Sequence, residues 1–113
     1  MERFELQAIM NMIATSYKFD SKTYPELRGI HPGNGDVITF GIRHSLHHMT
    51  KAVGRIAEYV ERVEHGGPMN PGDGQFLEET VKKEFVNVLR LAELLNLNAD
   101  DLMNYAVEKY GSR

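Results

Sequence analysis

From Asp36 to Glu64 the apolar residues Ile42, Leu46, Met49, Val53, Ile56, Val60 and Val63 follow one another in alternating steps of four and three. That step is the face of an α-helix, held here for four heptad-like repeats, and a strand would need a step of two. A helix this long must cover its apolar seam with other helices. The expected fold class is therefore all-α.

The rest of the chain agrees with this reading. Leu6, Ile9, Met10, Ile13 and Tyr17 keep helical intervals and predict a first helix over 3–17. Residues 18–35 lose the period, and Pro25, Gly29, Pro32, Gly33 and Gly35 allow little beyond a turn near Pro25–Leu27. Connections of this length are often functional, although His31 to Asp36 reads as turn chemistry. Asp36 is placed to cap the long helix, predicted over 36–64, and His65-Gly66-Gly67-Pro68 ends it. The bend Asn70-Pro71-Gly72-Asp73-Gly74 offers Asn70 or Asp73 as the next cap and is short enough to force an antiparallel hairpin.

A third helix is predicted over 75–95, with Leu77, Val81, Phe85, Val88, Leu89, Ala92 and Leu95 turned inward. Its pairs Glu78–Lys82 and Glu79–Lys83 face water, and Leu91 and Leu94 lie off the stripe, so more than one side is buried. Asn98, with Asp101 at the third position, caps a last helix over 99–110, where Leu102, Tyr105, Ala106, Val107 and Tyr110 pack before Gly111 stops it. Residues 1–113 thus read as one all-α domain, an antiparallel helical bundle. Its apolar faces exceed what one small bundle can hide, so a homo-oligomer, dimer or tetramer, is expected to complete it.

Composition removes several function classes. The absence of cysteine excludes a disulfide framework, a thiolate nucleophile and Cys-based metal sites. A net charge of −3 with both signs mixed supplies no broad positive field, so nucleic acid is not expected as a partner. No apolar run approaches the roughly 20 residues of a membrane span, and the start, Met1-Glu2-Arg3-Phe4-Glu5, lacks a signal layout. A cytoplasmic location is expected.

Two polar groups on the long helix stand out. His44 and His48 are spaced i,i+4, with His47 between them, a spacing able to hold zinc, nickel or copper if a third ligand such as His31 joins. The plainer reading is a polar face shared with Lys51 and Arg55. The stripe His44, His48, Lys51 and Arg55, continued by Arg62, is also suited to an anion such as a phosphate group, with Arg55 giving a planar donor fork. Against it stands an ordinary solvated charge run in which Glu58 pairs with Arg62. Gly41, Ser45 and Ala52 form another side of this helix, small enough for close helix packing.

The order Lys51-Ala52-Val53-Gly54-Arg55-Ile56-Ala57-Glu58, then a Gly/Pro bend, then Glu84-Phe85-Val86-Asn87-Val88-Leu89 and a capped last helix resembles the MazG-like all-α nucleoside triphosphate pyrophosphohydrolases over roughly residues 40 to 110. In that family Glu-Glu-x-x-Glu and Glu-x-x-Asp carboxylates hold magnesium against the substrate's phosphates. Here the first three acids fall on Lys51, Ala52 and Arg55, and the second motif becomes Glu84-x-x-Asn87. Magnesium needs several hard oxygen ligands, and two cations at its site oppose it. The resemblance therefore implies a divergent, catalytically inactive relative, an oligomeric scaffold binding an anionic small molecule or a protein partner, with no cofactor expected. Glu84, on the edge of its helix's apolar stripe, is expected to pair with Arg55 or Lys51. The alternative is an active hydrolase in a shifted register, where Glu58, Glu61, Glu84 and Asn87 carry Mg2+ and the ligand is a nucleotide. A third reading is an unrelated helical interaction module.

Overall fold

Helices make up most of the residues that the computed structural model describes, namely 5–16, 18–29 and 35–111. They are α1 (Leu6–Ser16), α2 (Gly35–Glu64), α3 (Asp73–Leu94) and α4 (Ala99–Tyr110), with a 3-10 turn at Pro25–Leu27 and no strand among the described residues. The all-α class follows. Arg3, Phe4 and Tyr17 of the first predicted helix, and His31 to Asn34 of the predicted turn, lie outside the described residues.

Local chemistry sets the helix ends. At the end of α2 the Gly67 amide donates to the Arg62 carbonyl and the Gly66 amide to the Val63 carbonyl, with Gly66 at φ 80°. This left-handed cap satisfies two carbonyls that the helix leaves open, at a φ that favours glycine. At the end of α3 the amides of Leu97 and Asn96 bond back to Ala92 and Glu93, and Asn96 takes φ 60°. α4 begins with a reciprocal capping box: the Asp101 amide donates to the Asn98 side chain and the Asn98 amide to the Asp101 carboxylate, at 2.9 and 2.8 Å.

Two expected caps are corrected. α2 already includes Gly35, which puts Asp36 in its first turn, and the N-cap of α3 is Gly72 without a side-chain bond. Asp73 serves the hairpin instead, accepting from the Asn70 amide at 2.6 Å and from the Arg62 guanidinium at 2.7 Å. These bonds, the Asn70 amide foremost, hold its carboxyl below the usual carboxylate range. Arg62 is therefore tied across the bend, and the expected Glu58–Arg62 pair is not formed.

Packing departs from the predicted stripes. The side of α2 pressed against α3 carries the buried Gly41, Ser45 and Ala52, with Thr80 buried opposite on α3. Gly41 fits a tight site there: a Cβ would lie 3.0 Å from the Phe19 ring and 3.1 Å from Leu94, closer than ordinary contact. Leu46, Val53 and Val60 of the predicted seam stay exposed in the protomer. So do Val81, Phe85, Val88 and Leu95, which were expected to turn inward, and Tyr105, Val107 and Tyr110 of α4.

Length explains the gap. α1 spans only about 16 Å at about 1.5 Å per residue, half the span of α3, and it covers α3 near Leu89 and Ala92 alone. The core there joins Met10, Ile13, Leu89, Ala92 and Ala99, ringed by Leu6, Ile9 and Leu102. The Gln7 side chain fastens α1 to α4 by accepting from the Ala99 amide at 2.8 Å.

Candidate functional site

Because α2 and α3 pair through small residues, their backbones approach closely and the longer side chains on one flank frame a groove of about 590 Å³. Its lining includes His48, Lys51, Ala52 and Arg55 from α2 and Thr80, Lys82, Lys83, Val86, Asn87 and Arg90 from α3. Five of these are permanent cations, and no carboxylate lines the groove among the described residues.

The cations differ in how they are held. Lys82 is paired with Glu78 at 2.8 Å on the exposed face, which raises its pKa through that bond and its charge. The Arg90 guanidinium lies over the Phe19 ring, 4.0 Å from its centroid, and donates to the Tyr24 hydroxyl at 3.3 Å. Lys51, Arg55 and Lys83 make no ion pair among the described residues. The expected pairing of Glu84 with Arg55 or Lys51 is thus absent: Glu84 accepts from Asn87 at 3.4 Å instead. Glu79 likewise takes a bond from Gln75 at 3.3 Å and leaves Lys83 alone.

His44 does not line the groove with the other three predicted anion-binding residues. It belongs to a nest behind the groove with Phe19, Tyr24 and Phe40, its ring 5.1 Å from that of Tyr24 and 4.5 Å from that of His48. Burial first, then the neighbouring His48, Arg90 and His47, lower its pKa, while Glu26 acts in the opposite sense. The Tyr24 hydroxyl, which accepts from Arg90, also lies 3.4 Å from Nε2 of His44. The relay Arg90, Tyr24, His44 anchors the groove's one fixed guanidinium to the connection before α2.

For metals, no group of three or more His, Cys, Asp or Glu side chains is placed to hold an ion among the described residues. Glu58, Glu61 and Glu84 therefore do not form a three-carboxylate cluster; of the predicted magnesium set only Asn87 lines the groove. Among the described residues the His44–His48 pair has no third ligand of these types beside it, and His31 lies outside them.

The sequence marks Lys83 only as the solvent-facing partner of Glu79, and it marks Arg90, Phe19 and Tyr24 not at all. Lys83, Val86 and Arg90 do keep steps of three and four, a stripe on α3 that matches Lys51 and Arg55 in sign. The aromatic residues carry no comparable signal. No protein-family model matches this chain, and neither a curated protein nor a solved structure is detectably similar to it.

Proposed function

We propose that this chain is an oligomeric, MazG-like helical scaffold whose basic groove binds a phosphate-bearing anionic small molecule, in the cytoplasm and without magnesium-dependent catalysis. One observation carries the reading: Lys51, Arg55 and Lys83, none of them neutralised by an ion pair among the described residues, line a single groove that no carboxylate enters. Like charges lining one groove repel, and an arriving anion relieves the repulsion while taking charge-assisted bonds. Arg55 offers the planar fork that fits two phosphate oxygens, and the lysines act as point charges. Ala52 and Val86 add apolar wall for the rest of a ligand, in a volume within the usual small-molecule range.

Calorimetric titration with inorganic pyrophosphate and with nucleoside triphosphates, in the absence of divalent metal, tests this. Saturable binding is expected, weakened at least about tenfold in Arg55→Ala, the lower end of what the roughly 1.5–3 kcal/mol of a charged hydrogen bond implies. No saturable binding of any of these anions at millimolar concentration would overturn the reading. A coupled pyrophosphate-release assay with magnesium is expected to stay at background; turnover abolished by Glu84→Gln would establish the hydrolase instead.

A further inference from the structure

On the flank of the α2–α3 hairpin opposite the groove, large apolar side chains of both helices stay exposed among the described residues. At about 100° per residue, Leu46, Val53 and Val60 recur on one stripe of α2, turned away from His48, Lys51 and Arg55 across the Ser45–Ala52 contact line. Val81, Phe85 and Val88 stand in the same relation to Lys83 and Arg90 on α3. The helices run antiparallel and both wind right-handed, so the two stripes fall on the same side of the hairpin. Val53 and Phe85, at its middle, are 60% and 52% exposed. The α2 stripe, with Met49, Thr50 and Ala57 between its larger members, carries no ionisable side chain.

We propose that a second copy of this chain covers this flank, apolar stripe against apolar stripe about a two-fold axis, forming a four-helix core with each basic groove on its outer surface. The proposal rests on the oligomeric part of the reading above and is independent of the groove's ligand. Two observations favour a second copy over another occupant. The chain exposes 8841 Å², about 2,500 Å² more than the roughly 6,300 Å² of a compact monomer of its mass. That excess is of the size each partner buries in an obligate dimer, about 1,000–2,500 Å² a side. The seven-residue recurrence of Leu46, Val53 and Val60 is also the pattern by which a helix seam meets a like seam, and this α2 seam, which carries no charge, does not repel its own copy, while the charges of the α3 half, Glu78 and Glu84, border its stripe.

Light scattering on the full chain at tens of micromolar should give twice 12.9 kDa or a multiple of that dimer. Val53→Glu combined with Phe85→Glu should bring the mass to that of one chain with helical circular dichroism retained, because both side chains are already exposed in the protomer. Since the chain lacks cysteine, single-cysteine variants report contacts directly. A short bis-maleimide should join subunits through Val53→Cys or Phe85→Cys at least tenfold more efficiently than through Lys83→Cys in the groove, a readout that stands even if the double glutamate variant misfolds. A wild-type monomer would overturn both the proposal and the oligomeric reading. An oligomer that survives the folded double variant, or that links through Lys83→Cys in preference, would overturn this interface alone.

Discussion

His44 lies one helical turn from His48, with Phe19, Tyr24 and Phe40 around its ring, so a proton on it puts charge into an apolar nest beside Arg90. The fold holds its pKa below the ordinary 6.5, first by burial and then through His48, Arg90 and His47, with Glu26 on the same connection pulling upward. As the pH falls, the unfolded chain takes up this proton before the folded chain does. His44 therefore adds stability that is complete above about pH 6.5 and is lost as the pH drops through the lower folded value. Proton NMR is expected to give a His44 midpoint below 6.5, and His44→Phe should show a smaller fall in Tm between pH 7 and pH 5 than wild type. A His44 midpoint at or above 6.5 would refute this assignment. The helical spacing of His44 and His48 was visible in the sequence, but their different settings were not, because the rings that separate them come from the connection before α2.

Bonds at a helix end satisfy amides and carbonyls that the helix leaves open and add to what packing supplies. α4 shows this most clearly, since Ala99 is buried, Leu102 is half-buried and most of its other large side chains face solvent. With so little burial, the Asn98–Asp101 box and the Gln7 bond to Ala99 carry much of what holds α4 in place. Asn98→Ala is expected to cost about 1 kcal/mol, a typical loss for an N-cap. The loss should be local: amide exchange across α4 should speed up while the α2–α3 amides keep their protection. Uniform acceleration through all four helices would show that α4 is an integral part of the cooperative unit instead.

The whole molecule is more open than its length requires. Its radius of gyration is 17.4 Å, against about 13 Å for a compact domain of this size, and the extents are 51 × 42 × 28 Å. Two flanks of one hairpin divide the roles: a basic flank with a groove, and an apolar flank turned the other way. If each groove is complete within one protomer, dissociation should leave it working. The Val53→Glu, Phe85→Glu double variant is therefore expected to bind pyrophosphate with an affinity within about twofold of wild type and one anion per chain. Loss of binding in a folded monomer would show that the groove needs the partner. Scattering in solution gives a second check, since the variant should keep a radius near that of the single protomer.

What the sequence alone determined is local in range. The four-and-three step from Ile42 to Val63 made α2 a helix, Gly66 and Gly67 closed it, and Asn98 with Asp101 opened α4, because period, left-handed glycine and capping box each act over a few residues. The short bend before Asp73 made an antiparallel hairpin legible in the same way. Which side of α2 meets α3 was a tertiary decision. A stripe of Leu and Val records that a face is apolar, not what covers it, and the small face of Gly41, Ser45 and Ala52 won the contact by letting two backbones come close. That choice brought Lys51 and Arg55 beside Lys83 and Arg90, from a second helix whose charges read in isolation as solvated. It also left Leu46, Val53 and Val60 of the heptad seam outward. A groove formed by two helices depends on their relative rotation, and rotation is set by packing across the pair rather than by the order of residues along either helix.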